Sequence, residues 1–72
     1  MEWYRLREPL QGVSKVGDKM QVVTVPTGTT LIIQGHMLAF GMVDAIWQTS
    51  TVTVLVQDLK ARAELIGSTG TS

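Results

Sequence analysis

The chain has 72 residues, six basic and six acidic side chains, one histidine and no cysteine. That excludes disulfides and thiolate metal sites, leaves a zinc site little but carboxylates around His36, and disfavours a surface that binds nucleic acid chiefly through phosphates. A domain this short buries only ~60% of the surface its unfolded chain exposes, so tight packing or association must supply the remaining stability.

Zero formal net charge offers little repulsion to self-association. The N-terminus, MEWYRLRE, has no apolar segment of the secretory type. The most apolar window, Met37 to Trp47, contains Asp44 and falls well short of the ~20 residues of a membrane span. The expectation is a soluble, cytoplasmic protein with no membrane partner.

Trp3, Tyr4, Arg5 and Leu6 read as a short strand that ends before Pro9, because proline cannot donate to a ladder. Leu10 to Lys19 holds Gly12 and Gly17-Asp18 and reads as an irregular loop or loose hairpin, with Leu10 and Val13 tucked onto the core. Met20 to Val25 is a second strand, apolar on both faces and so expected to be partly buried on both. Val25-Pro26-Thr27-Gly28 is a turn, with proline presetting φ and glycine free to take positive φ. Thr30 to Gln34 follows as a third strand.

Five residues, His36 to Phe40, are too few for a stable helix between Gly35 and Gly41. They read as a loop or a strand extension with Phe40 packed inward. The five glycines from Gly12 to Gly41 are spaced as turn residues. Gly41 to Val56 then forms a β-hairpin around Gln48-Thr49-Ser50, with Val43, Ala45 and Trp47 on one face of the first arm and Val52, Val54 and Val56 on one face of the second. After Val56, QDLKARAE carries helix formers with Asp58 as N-cap. The pattern leaves open whether residues 63–66 continue the helix or close the fold as a strand. Residues 67–72 lack apolar side chains and read as a flexible tail, which leaves one domain over residues 1–66.

These elements make an all-β fold, a small, strongly bent antiparallel barrel of five to six strands with a short helix or 3₁₀ turn near the C-terminus. The strand-turn-strand VTVPTGTTLII, the hairpin MVDAIWQTSTVTVLV and the turn QDLKAR before a last apolar pair resemble the SH3-like small β-barrels of bacteria, over Met20 to Ile66. The chain also looks like small uncharacterised bacterial proteins of this layout. The acidic loop and paired tryptophans of peptide-binding eukaryotic SH3 domains are missing, so their proline-rich ligands do not carry over. The resemblance implies a fold and no activity.

No Ser-His-Asp order, phosphate-cradling glycine motif or paired metal carboxylates can be assembled, so neither catalysis nor a cofactor is expected. Asp44 lies mid-strand between apolar neighbours and should face solvent, since ionised carboxylates are rarely buried unpaired. Trp47 keeps register with Val43 and Ala45, which favours a core or core-edge position over a ligand platform. Trp3 and Tyr4 alternate, so one should face in and the other out.

Two surfaces compete for function. The hairpin face opposite the core carries Met42, Ile46 and Leu55, with Ile32 able to join them, where a half-exposed sheet should be polar. A contiguous apolar patch of that kind marks an interface, and it points to a homo-oligomer or a protein partner. A sharply bent barrel that covers both faces with its Leu10 and Met37 loops is the competing explanation. The other surface would form if the termini meet: Arg5, Arg7, Lys60 and Arg62 with an exposed Trp3 or Tyr4 could bind nucleic acid. Glu2, Glu8, Asp58 and Glu64 are interleaved there, which favours a mixed, solvated surface.

Overall fold

The computed structural model describes residues 1–34 and 38–69. It contains β1 (Glu2–Leu6), β2 (Leu10–Val16), β3 (Lys19–Val25), β4 (Thr30–Ile33), β5 (Met42–Trp47), β6 (Ser50–Leu55), α1 (Val56–Arg62) and β7 (Ala63–Ser68). All seven strands form one antiparallel sheet in the order β3-β2-β6-β5-β4-β1-β7.

Laid flat, seven strands would span about 29 Å. Val25 on one edge strand and Ala63 on the other nevertheless belong to the same buried cluster. The sheet must therefore curl, with β3 and β7 remaining as edges and no ladder joining them among the described residues. Leu6, Leu10, Leu31, Val52 and Val54 fill the hollow of the curl, each at most 1% exposed. Val43 and Ala45 are buried beside them, and Trp47 packs at the rim.

The strand count rises to seven for two reasons. Leu10 to Val16 is a regular strand in register with β3 along its whole length, rather than a loop. Gly17, at φ 62, forms with Asp18 the two-residue turn that joins them, as a type II′ hairpin requires. Gly12 is therefore not a turn glycine but lies mid-strand, close against the neighbouring strand β6. Residues 63–66 form strand rather than helix, because Tyr4 to Leu6 offer Ala63 to Leu65 a ladder that a helix could not satisfy. β7 runs on through Gly67 and Ser68, and the Thr69 N–H donates to the Met1 carbonyl at 2.9 Å, so part of the expected tail is tied down.

The helix also differs at its start. β6 runs straight into α1 with Leu55 as N-cap, and Asp58 sits in the first turn. A carboxylate there still complements the positive end of the helix dipole. Leu59 is the one residue that α1 buries completely. Two further expectations are corrected. β3 is an edge strand with Met20 and Val22 exposed, because nothing among the described residues covers that face of it. Val13 is half-buried on the convex face rather than in the core, while Leu10 is buried as expected.

Candidate interaction surface

Register fixes which side chains are neighbours on the convex face. Ile46 lies opposite Ile32, and Ile32 opposite Trp3, which lies opposite Gly67. A second row runs from Val22 through Val13 and Thr53 to Asp44. Met42 and Leu55 form a pair of their own at the far end of the β5–β6 ladder. The four expected interface residues are thus all on this face and half-buried, but they form two pairs. Between the pairs, the Thr53 hydroxyl donates to Asp44 Oδ1 at 2.6 Å. Asp44 faces solvent as its alternation requires, and it divides the apolar stripe.

The two halves differ in what covers them. Trp3 lies across Gly67, where an added Cβ would stand 3.3 Å from Trp3 Cε3. The Ile46–Ile32–Trp3 row is therefore a packed outer layer. The Met42–Leu55 pair instead borders a shallow groove with Val13 and Val22, and Leu55 shares a second groove with Phe40, Val56 and Lys60.

Phe40 is the largest departure from expectation. It is 94% exposed rather than packed inward. Its backbone is left-handed, at φ 62 and ψ 27, with Gly41 left-handed after it. The Leu38 N–H donates to the Met42 carbonyl at 2.6 Å and the Met42 N–H donates to the Ala39 carbonyl, so a tight turn holds Phe40 outward. A bulky residue in this conformation costs on the order of 1–3 kcal/mol, and no burial among the described residues offsets it. Nothing in the sequence marked Phe40, because left-handed backbone is signalled by glycine or asparagine rather than phenylalanine. The neighbouring Gly35, His36 and Met37 lie outside the described residues, as do the readings that placed a histidine loop and a Met37 cover there.

The terminal surface is mixed. Arg62 Nη1 lies 3.4 Å from Glu8 Oε1, and Arg5 lies opposite Glu64 across β1 and β7. The Arg7 N–H donates to the Arg62 carbonyl at 2.7 Å, which brings those two residues together through backbone. Lys60 is exposed on α1. Of the two aromatics, Tyr4 faces the core and Trp3 the convex side. Burial, and then the nearby Glu2 carboxylate, push the Tyr4 phenol above its ordinary value of 10.0; the phenol donates to Glu2 Oε1 at 3.4 Å.

The folded chain therefore holds this proton more tightly than the unfolded one. The stability it contributes is fully present below about pH 10 and is lost as pH rises through the folded value. Phenolate absorbance of this single tyrosine is expected to titrate above the midpoint seen in denaturant, with Glu2→Gln moving it back down. Coincident folded and denatured midpoints would contradict the burial.

Among the described residues no group of three or more His, Asp or Glu side chains is placed to hold a metal ion. No helix among them is long and apolar enough to cross a membrane. The chain matches no protein-family model, no curated protein and no solved structure.

Proposed function

We propose that the protein is a non-catalytic binding or assembly module, which self-associates or takes a protein partner through the apolar part of its convex face. The SH3-like layout remains part of this proposal as a description of the curled sheet. The observation that carries it is Phe40, on a left-handed backbone and almost wholly exposed beside the Met42–Leu55 pair. Strain without compensating burial is accounted for when a second surface covers the side chain, and aromatic anchors dominate interface energetics. The nucleic-acid alternative draws less support, since Glu8 lies beside Arg62 and Glu64 opposite Arg5, two of its four cations.

Light scattering at tens of micromolar is expected to report a mean mass above that of one 7.9 kDa chain. Leu55→Lys and Phe40→Ser should each lower it while leaving the strand signal in circular dichroism unchanged. Both side chains are on the surface, so folding should survive. Folded variants with the wild-type mass would sink the assignment of this face.

A further inference from the structure

We infer that two copies of the chain pair through their β3 edges, antiparallel about a two-fold axis at Val22, to make one continuous sheet. The inference uses backbone groups of the edge and does not rest on the Phe40 surface. Only one side of β3 is paired among the described residues. Native sheets protect such edges with charge, proline, bulges or short length. The β7 edge does so, with Glu64 in the strand and a register shift opposite Trp3 and Tyr4. Of these devices β3 has only Lys19, at its hairpin end. It is seven residues long and in unbroken register with β2, and Met20 to Val25 contains neither charge nor proline. Residues Lys15 to Val22 are all exposed, so the outer half of the β2–β3 hairpin stands clear of the core.

The ladder determines which backbone groups are free. Val16 and Lys19 close a two-residue hairpin, and a closing pair exchanges both of its hydrogen bonds. Alternation then turns the N–H and C=O of Met20, Val22 and Thr24 away from β2. Val22 is also the midpoint of Lys19–Val25. A two-fold axis there pairs β3 with itself over its full length, and the free groups of Met20 meet those of Thr24 in the other copy. Lys19 then lies opposite Val25 of the other copy, so no like charges face each other. Val22 is 69% exposed; in this register it is flanked by Val13 on its own sheet and by the second Val22, which extends the valine row across the axis. A contact of this kind is isologous and closes at two chains.

The absence of cysteine makes the register directly testable. In otherwise wild-type protein, Val22→Cys is expected to form a disulfide-linked dimer on mild oxidation, because opposed residues in such a pair have Cα atoms about 5.5 Å apart, within disulfide reach. Gln21→Cys and Lys15→Cys should cross-link at least tenfold more slowly. Val22→Pro removes an N–H that the chain itself does not use, so in a Leu55→Lys background the variant should stay folded by circular dichroism and lose the two-chain species. The Val22→Cys cross-link should persist in a Leu55→Lys background, which separates this contact from the Phe40 surface. Equal cross-linking rates at positions 15, 21 and 22 would overturn the inference, as would a folded Val22→Pro variant of unchanged mass in that background.

Discussion

Gly12→Ala is expected to cost about 3 kcal/mol of folding stability or more, the upper part of the range for overpacking. The new Cβ would overlap Val52 Cγ1 and stand 2.9 Å from Val54 Cγ1 and 3.0 Å from the Thr53 carbonyl oxygen. One of those atoms is backbone in a paired strand, so rotamer changes cannot relieve the contact. The β2–β6 seam, which is paired only at Val13–Thr53 and Ser14–Val52, would have to open. A chain this size has roughly 4–11 kcal/mol in total, so denaturant midpoints should fall steeply.

Gly28→Ala provides the contrast, with open space around the new Cβ but a backbone at φ 87. It should cost about 1–2 kcal/mol through conformation alone. A double variant, Gly12→Ala with Val52→Ala, should lose less than the sum of its parts, since the two share one contact. Strict additivity, or a Gly12→Ala variant as stable as the wild type, would refute the close approach of β2 to β6.

Leu59→Ala is expected to cost 2–5 kcal/mol, as for other fully buried leucines. Leu59 is 2% exposed and is the only side chain by which α1 reaches the core completely. The helix has seven residues and no side-chain cap, too little to persist in water without packing. Its loss should spread unevenly. β7 follows α1 directly, and the Arg62 carbonyl accepts from the Arg7 and Glu8 N–H groups at 2.7 and 3.2 Å. Amide exchange in β7 should therefore quicken more than in β5 and β6. Uniform acceleration across the sheet would show instead that the protein opens only as a whole.

Much of the core was legible because alternation is a local property. Val43 with Ala45, Val52 with Val54, and Leu31 with Ile33 lie on the buried side as their period-two spacing requires. The β5–β6 hairpin was equally legible, its turn contracting to Gln48 and Thr49 with Ser50 in the strand. β2 was missed because Gly12 and Gly17 read as loop residues, and Gly12 has its role only once β6 lies against it. The four expected surface residues do share a face, but the polar break came from pairing Asp44 with Thr53, a cross-strand relation rather than a property of either strand.

The sequence by itself determined that this is an all-β chain, that Val43, Ala45, Val52 and Val54 of its hairpin lie in the core, and that Met42, Ile46 and Leu55 lie on the opposite face. Those facts follow from side-chain period and composition, which act within a few residues. Only the tertiary structure decided that β3 is a bare edge, that residues 63–68 add a seventh strand, and that Phe40 stands in solvent on a left-handed turn. Each depends on which distant segments meet: an edge is defined by the strand that does not arrive, and β7 by a β1 more than fifty residues upstream in the chain. No local preference carries that information, because loop closure and pairing are settled by the free energy of the whole sheet.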